Sequence, residues 1–223
     1  MGITGAGLES LTVVRHGQST VNAVRATGAD EYCTGIRDAD VPLSELGREQ
    51  AVAAGKPLAA YDFDLVLCSP YRRALDTARW ALGDPATVGG PEFVVDERLR
   101  DRENGILFGL TASGIRSRYP AEYRARQQLG GYYYRPPGGE SWPDVALRLR
   151  GVLGELDGRV LVFAHDITVV LIRALLGPKS GLEIAETATA QVSNASINHW
   201  ERDKSGMRLV LLDDTRHLVS GLQ

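Results

Sequence analysis

The sequence predicts an α/β fold: a single three-layer domain over residues 1–223, with a mostly parallel sheet, helices on both faces and a helical or loop lid inserted at about 111–142. Three observations predict it. Short apolar, β-branched runs alternate with helical stretches along the chain. A length of 223 residues with 43% hydrophobic content is enough for one full core. There is no internal repeat and no low-complexity linker at which to divide the chain.

Met1 to Ser10 is glycine-containing and reads as a loose tail. Leu11-Thr12-Val13-Val14 reads as a short buried strand, stopped by Arg15-His16-Gly17. A polar loop after Asn22 leads to Ser44, an N-cap with Glu45 in the first turn; that helix runs to about Leu58, weakened by Pro57. Asp64 to Cys68 is a second buried strand, and Ser69-Pro70 are the N-cap and first position of a helix reaching Leu82, with Gly83 its stop. Glu92 to Asp96 is a third strand, followed by a charged loop from Glu97 to Gly105. Thr111 to Gln128 is polar and helical; the Tyr and Pro cluster from Gly130 to Trp142 cannot continue a helix and reads as a lid over a site. A helix follows from about Pro143 to Leu156. Arg159 to Ala164 is a fourth strand ending at His165; Asp166 caps the helix Ile167 to Leu176, which Gly177-Pro178 ends. Ser196 to Trp200 and Met207 to Leu212 form an antiparallel pair closing the sheet edge.

A formal net charge of -3 gives no bulk attraction to nucleic acid or to an anionic membrane. No apolar run approaches membrane-spanning length, and the first residues carry no secretory pattern. Cys33 and Cys68 are far apart and not in a metal-ligand spacing, which suits reduced thiols in the cytoplasm. Oligomeric state is not readable, and a dimer stays open.

Two of the four histidines, His16 and His165, directly follow an apolar strand, where α/β sheets bind ligands. His199 lies within a strand beside Trp200 and reads as structural, and His217 as exposed. Arg15 offers a planar fork suited to phosphate oxygens, and Gly17 lets the backbone approach a ligand. Arg72 and Arg73 open a helix, where a cation opposes the dipole by roughly 0.3–1 kcal/mol unless an anion binds there. Arg15, His16, Arg73, His165 and one of Asp101 or Glu103 together suit phosphoryl transfer. One imidazole attacks phosphorus, the cations neutralise its oxygens, and a carboxylic acid protonates the leaving alkoxide. That scheme needs neither metal nor cofactor. Asp38-Ala39-Asp40 comes nearest to a metal cluster and reads as a solvated turn; there is no phosphate-binding P-loop and no Gly-x-Ser-x-Gly elbow. The implied partner is a small phosphorylated molecule. Tyr132, Tyr133, Tyr134 and Arg135 could grip its leaving group, and Arg72, Arg100 or Arg135 a second anion on it.

Taken together, Arg15-His16-Gly17-Gln18-Ser19 with Asn22, Pro42 to Ala51, Ser69 to Ala78, Gly139-Glu140-Ser141, His165 and Asn194 to Ile197 resemble the histidine phosphatase superfamily, the phosphoglycerate mutase-like family. The resemblance implies that His16 is the phosphorylated nucleophile. It implies that Arg15, Arg73 and His165 complete the phosphate pocket and that Asn22 contacts substrate or the transferred group. The family's proton donor is a glutamate two residues after a leucine; Leu99-Arg100-Asp101 puts an aspartate there, one methylene shorter, with Glu103 in reserve. Asp166 stands where the family commonly has glycine, and facing the pocket it would repel a dianion. Cofactor-dependent mutases carry Glu-Arg-His-Tyr-Gly-Gly-Leu-Gln-Gly-Leu-Asn-Lys; the segment Asp101 to Ala112 keeps the first and last of its glycines but lacks the tyrosine and lysine. The resemblance therefore implies a phosphomonoesterase ahead of a mutase, with a non-catalytic phosphate-binding protein as the alternative of another class.

Overall fold

The carboxyl ends of the central strands organise the molecule. The computed structural model describes residues 5–25, 30, 31, 33, 35–83, 91–177, 192–219, 221 and 222. Its strands are β1 (Leu8–Arg15), β2 (Leu65–Cys68), β3 (Glu92–Val95), β4 (Gly158–Ala164), β5 (Ile197–Asp203) and β6 (Gly206–Asp214), in the spatial order β3-β2-β4-β1-β5-β6. The first four run parallel, and the antiparallel pair β5 and β6 closes one edge.

Helices α2 (Glu45–Leu58) and α3 (Arg72–Leu82) cover one face, where Leu58, Ala74 and Ala78 meet Val14, Val66 and Phe163. Helices α6 (Trp142–Glu155) and α7 (Asp166–Leu176) cover the other, packing Leu149, Leu153 and Val169 on Leu11, Val13 and Val162. Both faces are dry, which explains why β1 and β4 are continuous apolar runs and not alternating ones. The helices following β1 and β4 thus lie on opposite faces although the strands are neighbours. This is a topological switch point, where a crevice opens beyond the strand ends. Register does the rest: Arg15 pairs with Ala164, so His16 and His165 leave adjacent strands side by side.

Between β3 and α6 the chain builds a separate small layer from α4 (Ala112–Arg118) and α5 (Pro120–Tyr133). Its core is only Leu107, Leu110, Ile115 and Tyr134, and α5 itself buries no residue.

Several boundaries differ from expectation. Within the stretch read as a loose tail, the Gly5 N–H donates to the Leu153 carbonyl, and β1 begins at Leu8. Residues 20–25 form a short helix, α1 (Thr20–Arg25), in place of the start of a polar loop. Ser69 does not cap α3; Tyr71 occupies that position. The polar helical stretch is broken at Tyr119 before Pro120, because a residue preceding proline is pushed out of the helical region. Helix resumes through Tyr132 and Tyr133 after Gly130, whose φ of 75° takes up the kink. Ser141 caps α6 with Asp144 completing a capping box, and His165, not Asp166, is the N-cap of α7. Pro178 lies outside the described residues. His199 is buried and shares a 2.9 Å hydrogen bond with the Thr12 hydroxyl across the sheet. His217 is half-buried with Nε2 unpartnered, because the turn after β6 folds it against the Ala195 backbone.

Candidate active site

The crevice beyond β1 and β4 is a cavity of about 280 Å³. The His16 and His165 rings meet edge to face in it, 5.2 Å between centroids, and both are buried. His16 Nδ1 lies 2.7 Å from the Gly17 carbonyl oxygen. A carbonyl only accepts, so Nδ1 carries the proton and Nε2 keeps the lone pair. Burial, and then the charges of Arg73, His165 and Arg15, hold the His16 pKa well below 6.5, so the ring is neutral at neutral pH.

The loop carrying His16 is fixed at three points. The Gly17 N–H donates to Thr77 Oγ1 (3.0 Å), whose hydroxyl donates to the Arg73 carbonyl (2.6 Å). The Asn194 amide donates to the His16 carbonyl (3.1 Å). Gly17 itself packs on Gly47, whose carbonyl oxygen would stand 2.3 Å from any added Cβ.

Around the rings the charges are paired tightly. Arg73 donates to Asp38 Oδ1 (2.8 Å) and to Asp101 Oδ2 (2.8 Å). His165 Nε2 is 2.8 Å from Ser69 Oγ, while Nδ1 faces Asp101 Oδ2 at 3.3 Å without a well-aligned hydrogen bond. Burial lowers the His165 pKa, partly offset by Asp101. Burial alone would raise the Asp101 carboxyl, but His165 and Arg73 outweigh it and hold it well below the usual range. Asp38 is the opposite case: burial pushes it up to about 6 against the pull of Arg73. Arg15 donates to the Val192 carbonyl, approaches Asp166 at 3.9 Å and, among the described residues, leaves its buried Nε without a partner. Among the described residues two buried donors, Arg15 Nε and His165 Nδ1, therefore stand unsatisfied beside a neutral imidazole. A tetrahedral oxyanion supplies the acceptors such a site lacks.

Of the residues singled out in the sequence, Arg15, His16, Asn22, Arg73, Asp101 and Tyr134 line this cavity, with His165 buried behind them in contact with the His16 ring. Asn22 accepts from the Ser19 N–H and hydroxyl. Glu103 lies elsewhere: its carboxylate accepts a hydrogen bond from the Tyr71 hydroxyl at 2.5 Å, beside a second cleft that also holds Arg72 and Arg100. Arg72 pairs with Asp76 and Arg100 with Glu140. Arg135 is exposed and pairs with Asp144. Asp166 is 53% exposed at the cavity rim.

Four contributors were assigned no site role from the sequence. Asp38 is not a solvated turn residue, because Arg73 draws it into the site. Ser69 stands directly after β2, the same strand-end position that marked the two histidines, and that signal could have found it. Thr77 and Tyr71 fall inside the segment Ser69 to Ala78 that carries the resemblance, but on and before α3 they read as ordinary helix positions and were given no role of their own.

An α/β sheet with two histidines and converging arginines at its switch point defines a protein built to handle a phosphoryl group. The chain belongs to the histidine phosphatase superfamily (branch 1), whose family model matches residues 11–215. It is 34% identical over 196 residues to 2,3-bisphosphoglycerate-dependent phosphoglycerate mutase 2 of Gloeobacter violaceus, spanning 85% of this chain and 81% of that one. It is 37% identical over 180 residues to glucosyl-3-phosphoglycerate phosphatase of Mycolicibacterium vanbaalenii, spanning 75% and 74%. The native structure of a mycobacterial glucosyl-3-phosphoglycerate phosphatase superposes with a TM-score of 0.72 at 30% identity, covering 93% of this chain and 99% of that one. Among the described residues no helix is long and apolar enough to cross a membrane.

Proposed function

We propose that the protein is a phosphomonoesterase working through a phosphohistidine on His16. The observation that carries this reading is the His16 ring, neutral by burial and oriented by its Nδ1–H···O=C bond to Gly17. Nε2 attacks phosphorus as the ester P–O bond breaks, and the leaving alkoxide takes a proton from Asp101. Arg15, Arg73 and His165 Nδ1 hold the phosphoryl oxygens. Water then attacks phosphorus, gives its proton to Asp101, and the P–N bond breaks to restore His16. The Asp101 carboxyl is ionised in the empty pocket. The monoanion of a phosphate ester, whose second pKa is about 6, brings the proton that Asp101 needs, and its charge raises the carboxyl next to it.

Hydrolysis is favoured over the mutase reaction by the segment Asp101 to Ala112, in which Asn104 lines the cavity where cofactor-dependent mutases have tyrosine. The outer wall favours a substrate with a second anionic group, such as a phosphoglycerate ester. Arg25, Arg102 and Arg126 line it, and Arg102 is held by the carbonyls of Glu140 (2.6 Å) and Tyr134 (3.2 Å). These replace Arg72, Arg100 and Arg135 in that role. The unbridged thiols Cys33 and Cys68 suit a cytoplasmic location.

The test is phosphate release from an aryl phosphate and a phosphoglycerate panel. The expected result is turnover by the wild type and none by His16→Ala. Interconversion of phosphoglycerate isomers without phosphate release would make the protein a mutase, and ligand binding with neither activity would make it a binding protein.

A further inference from the structure

Between the two clefts stands a side chain the chemistry above does not use. Tyr71 is 4% exposed and precedes α3 at its N-cap. Its ring meets the His165 ring edge to face, 5.3 Å between centroids and 74° between planes. The Arg73 guanidinium lies over the same ring, 4.9 Å from its centroid. One aromatic ring therefore touches two of the three groups that would hold a phosphoryl group. Among the described residues Ser69 is the one well-aligned hydrogen-bond partner of His165, with Asp101 3.3 Å from Nδ1, so its tilt depends also on the two rings it packs against, His16 and Tyr71.

What fixes the tyrosine is Glu103. The hydroxyl donates to Glu103 Oε1 at 2.5 Å, a short charge-assisted bond, and burial with that carboxylate pushes the phenol pKa up so that it stays a donor. Glu103 is itself anchored, its N–H donating to Glu140 Oε2 (3.2 Å) and its carbonyl accepting from the Glu140 N–H (2.8 Å). Glu140 in turn bridges Arg100 and Arg148.

We propose that Tyr71 and Glu103 are a positioning pair: the Glu103 carboxylate locks the Tyr71 ring, and the ring sets the orientation of His165 and Arg73 toward the phosphoryl group. The inference rests on the phosphomonoesterase reading and assigns Glu103 a role distinct from that of proton donor. Misplacement of about 1 Å in such groups can cost on the order of a hundredfold in rate, and loss of one hydrogen bond that leaves the ring in place should cost about tenfold.

The experiment compares Tyr71→Phe, Glu103→Ala, Glu103→Gln and the double variant Tyr71→Phe/Glu103→Ala. Turnover is measured on aryl phosphates of graded leaving-group pKa, and orthovanadate affinity by calorimetry. The pair predicts that Tyr71→Phe and Glu103→Ala each lose about tenfold in kcat/KM and similarly in vanadate affinity, equally for every leaving group. Glu103→Gln, which keeps an acceptor oxygen, should restore most of both, and the double variant should be no worse than either single one. Multiplicative losses in the double variant, or unchanged vanadate affinity in Tyr71→Phe, would overturn the pair. A Glu103→Gln defect that grows with leaving-group pKa would also overturn it, making Glu103 the acid. Should the wild type hydrolyse nothing while vanadate affinity still follows the predicted pattern, the function reading fails and the pair stands.

Discussion

The molecule sets two kinds of construction side by side. At the ends of β1 and β4, His16 and His165 are placed by main-chain register between two dry helical layers. Across the cavity, the wall from 102 to 136 rests on a small cluster of Leu107, Leu110, Ile115 and Tyr134, and its longest helix, α5, buries no residue. The first region cannot shift without unpairing a parallel sheet; the second can rearrange while the sheet stays intact. In the function proposed above, the chemistry falls on the rigid part and recognition of the leaving group on the thinly packed part, where the sequence can change without disturbing the fold.

The sharpest way to break this division is to attack the rigid half. Arg73→Gln removes a donor from the proposed phosphoryl site and leaves the half-buried Asp38 and Asp101 without their shared cation. A loss of roughly 10²–10³ in kcat is expected for every ester tested, together with a lower melting temperature. Asp101→Asn should separate leaving groups instead: alkyl phosphates lose about 10²–10⁴ in kcat, and aryl phosphates with good leaving groups much less. A uniform loss would show that Asp101 only orients Arg73 and His165.

A matched pair of truncations sharpens the contrast in stability. Leu161→Ala in the sheet core should cost about 2–5 kcal/mol of global stability by denaturant titration. Ile115→Ala in the outer wall should leave the global transition nearly unchanged, speed amide exchange in α4 and α5, and raise KM for phosphoglycerate esters more than for a small aryl phosphate. Equal effects of the two on global unfolding would make the wall part of the main core.

The mildest effect concerns pH. As the proposed nucleophile His16 would attack only when neutral, and its pKa lies well below 6.5 because of burial and the neighbouring cations. The neutral form therefore persists as pH falls through 6.5, and the acid limb of kcat/KM should lie below that value. A limb at or above 6.5 would mean that the ring is solvated.

The fold was legible because its signals are local. Apolar β-branched runs marked every strand, and the Ser44 cap closes its own helix. Arg15, His16 and His165 were visible for a related reason: strand ends converge wherever the strands are parallel neighbours. Side chains brought in by loops were not legible. Asp38, 35 residues from Arg73, looks like a turn residue until the fold closes. Arg102 and Arg126 were passed over for Arg72, Arg100 and Arg135, since direction along a loop or an isolated helix cannot be read from composition. In the same way Glu103 shares a loop with Asp101 and faces a different cleft.

The central claim is tested most directly by rapid quench with a ³²P-labelled ester under single-turnover conditions, followed by mapping of the labelled peptide. Acid-labile, base-stable label on His16, appearing before free phosphate and absent from His16→Ala, is the predicted result. Label on another residue, or hydrolysis by His16→Ala at the wild-type rate, would contradict it.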